Sequence, residues 1–436
     1  MNLGIELLPS ECDVLVIGAG PAGSAAALTL ARAGLQVVLV DQHAFPRDKV
    51  CGDGLIPDAH NALRKLGVLD AVMAQAQASS HVGCIGPRGG RVDVPGLLAV
   101  LPRKQLDHIL CSAAVAAGAR MFAPVRFTAP IEEGGKSTGG VDGEVRGTVV
   151  GATLHHGDVS REVRARWVLL ATGAVPQALI AAGMSERHTP SGVALRGYVK
   201  NDAMVGKIDK LEIVWHRALS PGYGWIFPCR DGVFNIGVGI ADSHDQRRDG
   251  KLTKRELNLR RVMDDFTRIY APARELMQGG TLLGAMKGAP LRCTLEGARY
   301  TRLGLMVVGE AAGSTYSFTG EGIGKALEIG IHAAEAVLEG RAASGSADAS
   351  DARADPSAAD AAVRAAFEAS LLALKPRFEL YKRANFVNRH PWLADLLIWR
   401  ARKSERLVRR MSGVLNETSN PGHLVTVKGL VRLFTE

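Results

Sequence analysis

A chain of 436 residues exceeds the usual size of one hydrophobic core, so two packed domains, or one interrupted by another, are expected. Its composition, 47% hydrophobic and 22% charged, contains no apolar run of the ~18 residues that a membrane-spanning helix needs and reads as water-soluble and globular. Lys and Arg outnumber Asp and Glu by 53 to 44, but no nucleic-acid module or aromatic-interleaved basic patch accompanies the excess, so nucleic acid is set aside as a partner.

The opening MNLGIELLPSEC lacks the charged start, apolar stretch and cleavage site of a secretory signal, which gives a cytoplasmic location as the expectation. The six cysteines form no CxxC pair, so reduced thiols are expected rather than a disulfide framework or a zinc site, and no metal ligands are assigned. The first element pair is DVLVIGAGPAGSAAALTLARAGLQVVLVD, residues 13–41. Val14 to Ile17 has the β-branched content of a buried parallel strand, and Ala22 to Ala33 that of a helix packed closely on it. In such a unit Gly18 permits the tight turn, Gly20 lets the backbone approach a pyrophosphate, and Gly23 lets the helix sit against the strand. Asp41 ends the next strand, where its carboxylate can accept hydrogen bonds from ribose hydroxyls. The motif binds a dinucleotide and by itself leaves NAD, NADP and FAD undecided.

Further along, FPRDKVCGDGLIP (45–57) is a loop rich in Pro, Gly and Asp, and LPRKQLDHIL places Arg103 four residues before Asp107 at a helix start. The Gly-rich, charged residues 131–147 read as an exposed loop between strands. VLLATGAV (168–175) ends another strand. SPGYGWIFPCRDGVFNIGVGI (220–240) reads as two strands joined by an Asp231-Gly232 hairpin turn, with Tyr223, Trp225 and Phe227 on one face. That face suits a flat ring system or an apolar chain, and equally an ordinary core. A last glycine cluster, GLMVVGEAAGSTYSFTGEGIGKALEIG, runs from a strand through Gly309-Glu310 to Gly320-Glu321-Gly322-Ile323, which opens a long helix.

Together these stretches resemble the geranylgeranyl reductase family of FAD-dependent oxidoreductases, within the para-hydroxybenzoate hydroxylase-like superfamily. The matching motifs are Lys-x-Cys-Gly around Cys51 and Pro-x-Tyr-x-Trp-x-Phe-Pro from Pro221 to Pro228. The resemblance runs from about residue 11 to 340 and implies FAD as cofactor. It places Gly309 and Glu310, where the family usually has Asp, near the ribityl and pyrophosphate groups. It sets Gly320, Gly322 and Ile323 at the pyrimidine edge of the flavin, where a helix N-terminus stabilises negative charge. Arg103 either supports the FAD phosphates or adenine side, or pairs with Asp107. Ala171-Thr172-Gly173 stands where many relatives carry Asp-Gly.

The implied architecture is α/β + β: a Rossmann-like FAD-binding domain (11–174 and 301–340), an inserted antiparallel-sheet substrate domain (175–300), a low-complexity insert (341–370) and a C-terminal helical cap (371–436). The implied activity is reduction of carbon–carbon double bonds in a prenyl or other apolar substrate, with Cys51, Tyr223 and Trp225 as candidate catalytic neighbours. Cys51 is otherwise a quiet buried thiol. No second strand–GxGxxG–helix unit follows the first, so an external reductant, NADPH or a reduced electron-carrier protein, is expected. The rival is an FAD-dependent monooxygenase hydroxylating an aromatic or polyketide-like molecule; a flavin-bearing carrier or sensor is the non-catalytic reading. Halogenases need a Trp-x-Trp-x-Ile-Pro stretch that GYGWIFP only partly echoes. The basic run RARKSERLVRR (400–410) is either a solvated helix face or a contact for an anionic membrane surface.

Overall fold

The computed structural model describes residues 2–134, 147–240, 244–246, 252–254, 258–343, 356–416 and 418–419. Two sheets carry the architecture. In the first, Leu305–Val307, Val159–Leu170, Glu11–Ile17, Val37–Val40 and Arg120–Phe122 lie side by side and parallel. Strands covered on both faces need apolar residues at every position, and alternation divides them between two cores. Val14, Val16, Val37 and Leu39 face the helices Pro21–Arg32, Arg103–Ala116 and Ile323–Ala343. Leu15, Ile17, Val38 and Val40 face the antiparallel strands Arg126–Glu133 and Thr148–His156, which fold over the sheet through Phe127, Val149 and Leu154.

Small residues set how closely the helices approach. A Cβ on Gly330 would lie 2.2 Å from the Ala22 carbonyl oxygen, and one on Gly309 2.5 Å from the Ala22 Cβ. The long helix that follows the last glycine cluster is thereby seated directly on the helix that follows the first.

The second sheet runs Thr281–Leu282, Gly192–Lys200, Val233–Ile240, Gly222–Pro228, Leu211–Val214, Gln77–Ile85, Arg91–Val100, Gly54–Leu55, with Lys287–Leu291 also on Gly192–Lys200. All its pairs are antiparallel except Leu211–Val214 with Gln77–Ile85. Asp231 and Gly232 both have positive φ (58° and 63°), as the tight hairpin requires. Helices Leu259–Ile269 and Ala271–Gly279 cover part of one face through Met263, Phe266 and Leu276. The C-terminal helices pack Leu393, Ile398 and Leu407 against Val82, Val94 and Leu98.

The architecture is the expected one, with different seams. Residues 54–100 were expected in the FAD-binding domain, yet three of their strands join the second sheet. Their alternation marks them as half-buried strands without saying which sheet takes them. The helical region begins at Pro356, inside the expected low-complexity insert, because Ala-rich sequence forms helix readily and Val363, Phe367 and Leu371 give it one buried stripe. The long helix also runs on to Ala343. Most of the loop 131–147, residues 344–355 and the end of the chain from 420 lie outside the described residues.

Candidate active site

The strand Glu11–Ile17 ends in a turn where Gly18 has φ 106°, and a Cβ there would lie 2.4 Å from the Ala171 carbonyl oxygen. A Cβ on Gly23 would overlap the Gly18 carbonyl at 1.8 Å, so helix and turn touch backbone to backbone. Gly20 differs. A Cβ on it would meet only the guanidinium ends of Arg47 and Arg103, each at 3.7 Å, so this backbone faces open space flanked by two cations. Arg103 pairs with Asp107 through Nε at 2.6 Å and Nη2 at 2.8 Å, and it also lines the cavity beside Gly20. Asp41 accepts from the Ala19 N–H at 3.0 Å and pairs with Arg47 at 3.2 Å, while Arg47 reaches Asp107 at 3.0 Å. Asp41 therefore braces the glycine turn as well as lining the cavity.

On the facing segment, Gly309–Ala312 forms a single helical turn with Gly309 at φ 64°. Glu310 lines the cavity and accepts from the Thr315 hydroxyl at 3.3 Å. A Cβ on Gly320 would lie 2.6 Å from the Tyr223 hydroxyl, and one on Gly322 2.6 Å from Thr315 Oγ1. Only bare backbone lets this segment lie against the aromatic strand before Ile323 starts the long helix. Asp58 packs on that helix's first turn, its carboxyl carbon 2.3 Å from where a Gly324 Cβ would be, and complements the positive helix end.

Between these two backbones lies the loop bearing Cys51, held by residues that sequence reasoning did not assign. Asn235 donates from Nδ2 to the Cys51 carbonyl and to Asp53 Oδ2, both at 2.8 Å, and accepts from the Trp225 indole N–H at 2.9 Å. Buried Arg196 donates to the Cys51 and Lys49 carbonyls (3.3 and 2.9 Å) and to Asp48 (2.8 Å), and stacks on the Tyr198 ring at 4.1 Å. Asp53, fully buried at φ 64°, accepts from the Tyr198 hydroxyl and from the Arg103 N–H (3.2 Å). Burial pushes its carboxyl up to about 6. Two signals for these partners stand in the sequence: Arg196 and Asn235 are polar residues set within otherwise apolar strands.

Trp215, Tyr223, Trp225 and Phe227 form a ladder with successive ring centroids 6.2–6.4 Å apart. The Tyr223 hydroxyl donates to the Thr319 carbonyl, and the Trp225 indole N–H is committed to Asn235, which leaves both rings as walls of the site. The Cys51 sulfur accepts from the Asp53 N–H at 3.3 Å; burial, and then the Asp53 charge, raise its pKa, so it stays a thiol at neutral pH.

One cavity of about 700 Å³ joins these parts. Of the cofactor residues expected from sequence, Gly18, Gly20, Asp41, Arg103, Glu310, Gly320, Gly322 and Ile323 line it; Gly23 and Gly309 lie behind it as helix contacts. Cys51, Tyr223 and Trp225 line its middle, and Leu98, Trp215, Phe318, Ile398 and Leu415 its apolar far end. A long cavity with a side-chain-free, cation-flanked turn at one end and a helix start at its centre fits a flavin dinucleotide.

This is the site of an FAD-dependent oxidoreductase: residues 11–267 match the family model described as an FAD binding domain. The chain is 34% identical to the menaquinone reductase of Mycobacterium tuberculosis over 347 residues, 74% of this chain and 76% of that one. It is 31% identical to the digeranylgeranylglycerophospholipid reductase of Methanosarcina mazei over 342 residues, 76% of each. Its fold matches that of a geranylgeranyl bacteriochlorophyll reductase-like protein from Thermoplasma acidophilum with a TM-score of 0.66 at 22% identity, covering 98% of this chain and 96% of that one. The chain belongs to the geranylgeranyl reductase family of FAD-dependent oxidoreductases.

Proposed function

We propose that the protein reduces a carbon–carbon double bond in a long apolar substrate of the isoprenoid kind. The observation that carries this reading is the continuity of the cavity. The same space that begins at Gly20 and Arg103 passes Cys51 and the Gly322–Ile323 helix start and ends among Leu98, Trp215, Phe318 and Ile398. An apolar chain entering that end is held by dispersion and by exclusion of water, and carries no group that needs a polar partner. Relatives named as reductases of a quinone and of a geranylgeranylated phospholipid support the same substrate class.

In this reading FAD, when bound, supplies the hydride chemistry. The chain supplies the rest. Gly18, Gly20 and the Arg47–Arg103 pair hold the phosphates, and the start of the helix at Ile323 stabilises negative charge on the ring. Asn235 and Arg196 fix the backbone at Cys51, so the thiol keeps one position against the aromatic ladder. Because the Tyr223 hydroxyl donates to Thr319 and the Trp225 N–H to Asn235, we assign the proton added to the second alkene carbon to the Cys51 thiol, and the thiolate left behind, disfavoured by burial and by Asp53, regains a proton from water. The electron donor that reduces the flavin is an outside molecule, NADPH or a reduced carrier protein.

The test is anaerobic. The protein is reduced with dithionite, mixed with a geranylgeranyl lipid, and followed by flavin absorbance and product mass. Reoxidation with a mass gain of ~2 per saturated bond, as addition of a hydride and a proton requires, is expected. Flavin that reoxidises only when oxygen is admitted refutes the reading and turns the assignment to the monooxygenase alternative.

A further inference from the structure

The apolar end of the cavity is lined by two short helices, Trp392–Ala401 and Glu405–Leu415. Their inner sides line it with Ala394, Leu397, Ile398, Met411, Val414 and Leu415. Their outer sides have an unusual composition. Trp392 is 60% exposed and Trp399 49% exposed; seven residues apart, they share one helix face with the half-buried Leu396. The Lys403 ammonium lies 4.6 Å from the centre of the Trp399 ring, extending that stripe. Arg402, Arg406 and Arg409, which follow in the chain, are exposed, and they outnumber the one exposed acid among them, Glu405. The one acid within the tryptophan helix, Asp395, is already matched: it accepts the Arg88 N–H at 3.0 Å and lies 3.9 Å from the Arg88 guanidinium.

Large aromatic rings left in water cost free energy, and on a surface rich in Lys and Arg they match the headgroup layer of an anionic bilayer, where rings sit at the interface and cations meet lipid phosphates. A protein partner would satisfy the rings, but the excess of cations selects a surface of negative charge. We propose that this outer face of the two helices is a docking surface for an anionic lipid bilayer. Docked there, the cavity's apolar end is separated from the membrane by one layer of helix. No helix among the described residues is long and apolar enough to cross a membrane, so attachment of this kind is peripheral.

The experiment uses the full chain and sedimentation with vesicles, and it requires no turnover, so it is independent of the reaction proposed above. Vesicles of phosphatidylcholine alone are compared with a phosphatidylcholine and phosphatidylglycerol mixture, at low and high salt. Binding to the mixture only, weakened by salt, is expected. A variant carrying Arg402→Gln, Arg406→Gln and Arg409→Gln should lose about fivefold in partitioning per cation, roughly a hundredfold in all. A Trp392→Ala, Trp399→Ala variant should also lose binding. Both keep the wild-type flavin spectrum and melting temperature, because these side chains face outward. Absence of binding, equal binding to both vesicle types, binding that survives either set of substitutions, or a dimer in solution that these substitutions dissociate, overturns the proposal.

Discussion

The replacement Asp53→Asn tests the physical account of the site most directly, because it removes one charge from a buried network without changing its shape. Asp53 is fully buried, and loss of solvation lifts its pKa from 3.8 to about 6 despite the bonds from Tyr198 and Asn235 and the charges of Arg196 and Arg103. Between these two values the native protein keeps a proton that the unfolded chain has released. Stability therefore falls as pH rises through that window and recovers on acidification. Integrated from about pH 7 to about pH 4.5, the carboxyl should make the wild type about 2 kcal/mol more stable relative to the asparagine variant. Other titrating groups are common to both proteins and cancel in the difference. In either orientation the amide's NH2 group meets a donor, the Nδ2 of Asn235 or the Arg103 N–H, which adds an offset at every pH but no slope. The assay is urea unfolding of both proteins, equally loaded with flavin, across that pH range. Parallel stability curves would show that Asp53 titrates in the folded protein as it does in water and refute the account of its burial.

Three further substitutions separate folding from cofactor binding and identify the acid. Gly23→Ala places a Cβ 1.8 Å from the Gly18 carbonyl oxygen, so the flavin-free protein should melt well below the wild type; Gly20→Ala meets only side-chain ends at 3.7 Å and should leave that melt unchanged while weakening FAD in a flavin titration. Equal melting losses would show that both glycines serve packing alone. Cys51→Ala should leave the flavin spectrum and dithionite reduction intact and lower product formation by at least about a hundredfold, the usual scale for a lost general acid; wild-type turnover would remove the thiol from the reaction.

What could be read from the sequence followed the distance along the chain over which each feature is built. The Gly18–Gly20–Gly23 unit is one strand, one turn and one helix, so residue spacing alone fixes which backbone faces the cavity and which meets its neighbour. Gly309 to Ile323 is legible as a strand, a turn and a helix start in the same way, although Gly309 packs on Ala22 and Gly320 on Tyr223, both far along the chain. The second sheet is different. Gln77–Ile85 pairs with Leu211–Val214, far along the chain, and the alternation that marks each strand is silent about its partner, so the strands within residues 54–100 could not be placed in the second sheet from sequence. The polar network around Cys51 depends on the same long-range pairing. Register across Gly192–Lys200 and Val233–Ile240 sets Tyr198 opposite Asn235 and Arg196 opposite Gly237. With no side chain there, Gly237 leaves room for the Trp225 ring, 2.2 Å from where its Cβ would stand, while Asn235 holds the Trp225 indole and Cys51 together. An asparagine and an arginine placed within apolar strands are costly unless buried partners await them. That cost is the physical sign, legible in advance, that these two residues belong to a site rather than to a core.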